Sequence, residues 1–233
     1  MRLRSLTKHI RDQNWFAVAL DFFIVVVGIL IAFQITNWNE ARKAASDERA
    51  IIAQLKTDFK TLEDQLEERV ARSERLMKQT MELVKLIQLG EEPKDKDYVK
   101  TLIFAAGSIS FREAPPASYS ELLASGKLSE LSDSDLRKAL IKYGQVHAKW
   151  DYADGFVPAQ RSEDSKFVQA LSYNMDQDMN NLTSGIIRSY DWAKLKEAEV
   201  SISTIRQNHY VQFFRHQQDL AAVRIMLVEL EKQ

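Results

Sequence analysis

Residues 16–36 read FAVALDFFIVVVGILIAFQIT, twenty-one positions interrupted only by Asp21 and, near the end, Gln34. At about 1.5 Å per residue, a helix of this length spans roughly 31 Å, the thickness of a bilayer's hydrocarbon core. Trp15 and Trp38 bracket it, about 34 Å apart, where amphipathic indoles settle at the two headgroup layers. Its fourteen Leu, Ile, Val and Phe residues contribute roughly 4–8 kcal/mol toward insertion. An aspartate costs about 3 kcal/mol at the bilayer centre and less near an interface, where Asp21 falls. The balance favours a membrane anchor. A cleaved signal peptide fits poorly, because the apolar run is too long and no small-x-small site closes it before the polar NWNEARK stretch. The KAAS stretch at 43–46 lies too far downstream to serve.

Flanking charge sets the expected orientation. Arg2, Arg4, Lys8 and Arg11 precede the span, while Arg42, Lys43 and Arg49 follow it. The positive-inside rule therefore places residues 1–14 in the cytoplasm as a short tail and the remainder outside, by a margin of one charge. Such a tail is too small for an output domain, so any signal would pass through a partner helix or stay outside. Within the span, Gly28 and Ala32 form a small-xxx-small pair that admits a second helix. Asp21 and Gln34 are polar groups of the kind that face a partner or a cavity in lipid. The plainer reading is that Gly and Ala are common in such helices and that both polar residues lie near the ends.

Outward from the anchor the pattern stays helical. Seven glycines and four prolines make up about 5% of the 233 residues, less than half the usual share, which favours long helices over many short strands. From Asn39 to Gln88 neither residue occurs. Ile52, Leu55, Phe59, Leu62, Leu66, Leu76, Leu83 and Ile87 recur at heptad spacing, with Arg69, Ser73 and Thr80 as polar breaks. Such a helix could reach roughly 75 Å. The C-terminal segment carries a second stripe: Ile202, His209, His216, Val223 and Leu230 on one heptad position, with Phe213, Leu220 and Leu227 on the other. An antiparallel pairing of the two stripes sets His216 against Leu66 and His209 against Ser73, near Arg69. The polar residues of both then form one layer that fixes register. The expected fold is all-α: a 15–38 anchor, a 39–90 stalk helix, a 91–185 helical subdomain and a 186–233 segment returning along the stalk.

Between the stripes, helices are expected over Lys94–Ala106, from a capping box at Ser118 and Glu121, and from Ser132 and Asp135 onward. Gly126 suits the left-handed residue just past a short helix, and Gly155 and Pro158 close the next one. A more polar stretch then runs to Gly185.

The stretch from Gly28 to Glu40 (GILIAFQITNWNE) resembles a widespread family of uncharacterised bacterial membrane proteins, in which a GILIA-like run leads into a Q-x-x-NWNE-like exit. Tyr119 to Tyr143 (YSELLASGKLSELSDSDLRKALIKY) is similar to a second signature of that family. Asp21 stands where the family more often has glutamate after a glycine, and Thr36 replaces a frequent asparagine. The resemblance implies a single-pass protein of the bacterial inner membrane with a periplasmic domain. It implies no chemistry.

Composition narrows the functions further. The 32 basic and 33 acidic residues are interleaved rather than clustered, which speaks against nucleic acid as a partner. The absence of cysteine excludes disulfides, thiolate metal sites and cysteine nucleophiles. His209 and His216 lie about 10.5 Å apart along a helix and cannot share one metal directly. His147, beside Tyr143 and Trp150, suits a boundary histidine. Asp176 and Asp178 lack the glycine and terminal glutamate of a calcium loop. Ser108, Ser110 and Ser118 have no histidine nearby in sequence, although distant residues can converge. No cofactor is expected. The leading expectation is a non-enzymatic scaffold or interaction module of the cell envelope, in contact with the lipid bilayer. It would bind another membrane or envelope protein, or a second copy of itself. The rival is an extracytoplasmic ligand-binding or sensor domain with a pocket lined by Phe213, Phe214, Tyr143 and Trp150, and a hydrolase comes third. A cavity with converging polar groups would favour the ligand; a solid core with an exposed apolar patch would favour the protein partner.

Overall fold

A computed structural model describes residues 15–150, 165–174, 176 and 183–233. The tail over 1–14, the helix stop at Gly155 and Pro158, Asp178 and the side chain of Trp15 lie outside the described residues. The chain divides into two compact units, 1–51 and 52–233. One helix, α1 (Trp15–Leu89, 75 residues), runs through both.

Over residues 16–36 of the first unit α1 is apolar on nearly every side and lies open. Phe22 is 71% exposed and Phe33 63%. By length and composition it is the one helix among the described residues that could cross a membrane. The Thr36 hydroxyl donates to the Ala32 carbonyl at 3.0 Å, which satisfies it within the helix.

In the second unit, the expected stripe of α1 is buried. Leu55, Phe59, Leu62, Leu66, Leu76 and Leu83 all face inward, together with Ser73 and Thr80. Gly90, at φ +83°, ends the helix in a left-handed turn that its missing Cβ permits. Helix α2 (Lys96–Gly107) starts where the Asp95 carboxylate accepts from the Tyr98 N–H at 2.9 Å. Helix α3 (Ala117–Ala124) has Pro116 at its N-cap and no side-chain cap, so the expected capping box does not form. Instead Asp58 of α1 reaches across to the Ser118 N–H at 3.4 Å. Gly126, at φ +73°, turns the chain into a short 3-10 segment, Lys127–Glu130. The cap of α4 (Ser134–Ala148) is Asp133 rather than Ser132, its carboxylate accepting from the N–H groups of Asp135 and Leu136.

The polar stretch beyond α4 contains something an all-helical reading misses. After the single turn of α5 (Lys166–Gln169), strand β1 (Leu171–Tyr173) pairs antiparallel with β2 (Ile187–Tyr190). Helix α6 (Trp192–Glu197) leads into α7 (Glu199–Glu231), which packs along α1 in the opposite direction.

Two apolar clusters result. One gathers Leu83, Ile87, Leu102, Ile103, Phe167 and Ile202 around the far end of α1. The other is aromatic: the rings of Phe59, Tyr119 and Tyr143 meet edge to face, with centroids 5.0–6.2 Å apart. Between them lies a layer of buried polar groups.

Candidate functional site

The layer begins on α7. Its inward face runs through Ile202, His209, His216, Val223 and Leu230, as the heptad reading expects, but the second inward position is Ile205, Gln212, Asp219 and Met226. Phe213 lies at the edge of that face, while Leu220 and Leu227 are buried beside it. The sequence favours Phe213, Leu220 and Leu227 because they are apolar. The fold prefers Gln212 and Asp219 because the segment after α2 supplies them with polar partners.

Those partners give the layer its form. Ser110, 1% exposed, stands between α1 and α7. Its hydroxyl accepts from that of Ser73 at 3.1 Å and lies 3.1 Å from His216 Nε2. Its backbone N–H donates to Gln212 Oε1 at 3.3 Å. His209 Nε2 lies 3.1 Å from the Ser108 carbonyl, which can only accept, so this nitrogen carries a proton. Nδ1 of the same ring meets the Thr80 hydroxyl at 3.0 Å. Arg112 enters the core beside them, donating to the His147 carbonyl and placing Nε 3.6 Å from Asp219 Oδ2. Arg69 of α1 pairs with Glu113 at the edge.

The histidines and the polar breaks of α1 lie one heptad away from the expected register, and Arg69 stands apart from them. His209 faces Thr80 rather than Ser73, and His216 reaches Ser73 through Ser110. The shift has a physical cause. Residues 108–113 wedge between the two helices and add hydrogen-bond partners that a two-helix model lacks. The convergence of Ser108 and Ser110 on histidines a hundred residues away has no signal in sequence.

Ser110 and His216 have the separation of a nucleophile and its base. However, Ser110 is 1% exposed and His216 fully buried, and neither lines the neighbouring cavity. Among the described residues no group of three His, Cys, Asp or Glu could hold a metal ion. Asp176 is exposed, and its N–H donates to Asn174 Oδ1.

The cavity itself, about 300 Å3, opens beside the layer between α2, α5, the hairpin and α7. Ile103, Phe104, Phe167 and Ile205 form its walls, with Ser108, His209 and Gln212 at one end. Phe213, Phe214, Tyr143 and Trp150, the rings expected to line a pocket, are not among the residues that line this one. Tyr143 lies in the aromatic cluster, where burial and the nearby Asp219 carboxylate push its hydroxyl well above the usual range. His147 stacks on Tyr143 at 6.0 Å. Trp150 meets Phe214 edge-on and donates to Gln218 Oε1 at 3.2 Å.

On the first unit Asp21, Gly28, Ala32 and Gln34 are exposed on α1. A Cβ added at Gly28 would meet nothing within 4 Å. Trp38 is 63% exposed, with the Arg42 guanidinium 5.8 Å from its ring centre.

A model of a family of unknown function, DUF6090, matches residues 21–186. This range takes in the apolar part of α1, the wedge at 108–113 and most of the cavity walls, but not α7. No curated protein and no solved structure matches the chain.

Proposed function

The chain belongs to the DUF6090 family, whose function is unknown, and within that family we propose that it is a membrane-tethered, non-enzymatic interaction module. Its anchor, in the bacterial inner membrane, would meet the helix of a partner membrane protein while the folded unit lies on the periplasmic side. One observation carries this reading: α1 is a single helix that supplies both the apolar span and the buried stripe of the folded unit. A helix apolar on nearly every side and exposed along its length needs a cover, and lipid together with a second helix supplies one. The non-enzymatic part is supported by the burial of His209 and His216 within a polar layer, where both ring nitrogens of His209 and Nε2 of His216 meet hydrogen-bonding groups of the fold.

A photo-crosslinking residue in place of Ala32 tests the partner. The reading expects a discrete adduct with a second polypeptide, lost on Gly28→Leu. Adducts with lipid alone would end it.

The cavity favours a companion reading in which the module senses a ligand. Polar groups converge at one end of an apolar space, the arrangement typical of small-molecule sites. A sensor of this kind would also need a partner helix to pass its signal across the bilayer, so the two readings are compatible.

A further inference from the structure

The cavity beside the polar layer has a specific chemistry. Ile103, Phe104, Phe167, Val168, Ile187 and Ile205 wall it, and no charged side chain among the described residues lines it. At about 300 Å3 it falls at the lower end of small-molecule sites. It holds about ten non-hydrogen atoms, at the roughly 30 Å3 that a water-sized group occupies in a liquid.

Its polar end is defined by Gln212, which is 6% exposed. The Ser110 N–H donates to Gln212 Oε1. A backbone N–H can only donate, so this bond fixes which way round the amide lies and leaves Nε2 for the cavity that the residue lines. Among the described residues Nε2 has no acceptor. The neighbouring donor, His209 Nε2, is already committed to the Ser108 carbonyl. A donor on the lining of an otherwise apolar cavity is best matched by a ligand oxygen that accepts from it. A carboxylate would enter without a cation to offset its lost hydration, whereas an uncharged carbonyl oxygen loses little.

Resting on the ligand-sensing reading, we infer that the cavity binds an uncharged, largely apolar molecule of about ten non-hydrogen atoms whose single carbonyl-type oxygen accepts from Gln212 Nε2. The apolar walls take up the tail, and the amide selects the head. The probe that suits this space is a nine-carbon methyl ketone, 2-nonanone.

The test uses the full chain in lipid nanodiscs with a diazirine-bearing analogue of 2-nonanone, its adducts mapped by mass spectrometry. Unlabelled 2-nonanone, nonane and nonanoate compete, each at matched concentration in the lipid phase. The inference expects adducts within residues 103–109 or 205–212. It expects 2-nonanone to compete at about five- to tenfold lower concentration than nonane or nonanoate, the value of one hydrogen bond. Gln212→Met is expected to erase that preference. Val168→Trp, which fills the space from its half-buried wall, is expected to abolish labelling with the melting temperature kept. Equal competition by ketone and hydrocarbon at the cavity in the unsubstituted chain would overturn the ligand chemistry and leave the sensing reading standing. Labelling confined to 16–36, or unchanged by Val168→Trp, would end both.

Discussion

Gly144 sits in the middle of α4, where alanine would ordinarily serve a helix better by up to about 1 kcal/mol. Here a Cβ would lie 2.2 Å from the Tyr119 hydroxyl. That hydroxyl donates to the Leu140 carbonyl at 3.2 Å, and its ring is held edge-on by Phe59 and Tyr143, so it cannot swing aside. Gly144→Ala is therefore expected to destabilise the fold by about 1–2 kcal/mol in denaturant titration, because overpacking outweighs helix propensity. In a Tyr119→Phe background the nearest atom is a ring carbon at 3.5 Å, and the same change is expected to become neutral or stabilising. The two tyrosines also set an alkaline limit. Burial raises both hydroxyls above their ordinary value of 10.0. The native state thus prefers the protonated forms, and their contribution is complete below about pH 10 and lost as pH rises further. Tyrosinate absorbance titrations compared with Tyr119→Phe and Tyr143→Phe are expected to show these two groups, like the similarly raised Tyr190, ionising late, as the fold melts; smooth ionisation of Tyr119 and Tyr143 in the folded state would contradict the packing. None of this was legible in the sequence, since what makes Gly144 necessary is a residue on another helix.

Elements show where sequence patterning succeeds and where it stops. The stripe on α1 was readable from Leu55 to Ile87 because most of its residues are apolar and its neighbours are charged. The stripe on α7 was half readable. Ile202, His209 and His216 followed the period, but Gln212 and Asp219 are buried by partners that arrive from 110–112, a hundred residues earlier in the chain. The cavity stayed hidden for the same reason: four elements supply its walls, and conspicuous rings such as Trp150 and Phe214 pack on one another instead. The hairpin escaped notice because three- and four-residue strands carry too little alternation to register. Register is the testable consequence. The Gln88–Glu199 and Glu67–Arg224 bonds fix the antiparallel alignment of α1 and α7. In this cysteine-free chain, cysteines at Gln88 and Glu199 are expected to join through a short bis-thiol reagent, whereas cysteines at Asp58 and Arg224 are not. Efficient joining of the second pair would restore the alignment that sets His216 against Leu66.

For the whole molecule, the deciding residues are those with which the chain is most openly apolar, 16–36. Their composition alone pointed to an anchor, and in the structure they remain exposed within a helix that continues to Leu89. Partner, ligand and orientation depend on surfaces that meet other molecules, which neither periodicity nor capping residues describe. The account therefore turns on whether this segment is retained in lipid. Alkaline carbonate extraction of native membranes, followed by mass spectrometry of the protein's N-terminal peptides, measures that directly. Retention in the pellet with peptides from the first forty or so residues present is the predicted outcome; a freely extracted chain lacking them would contradict it.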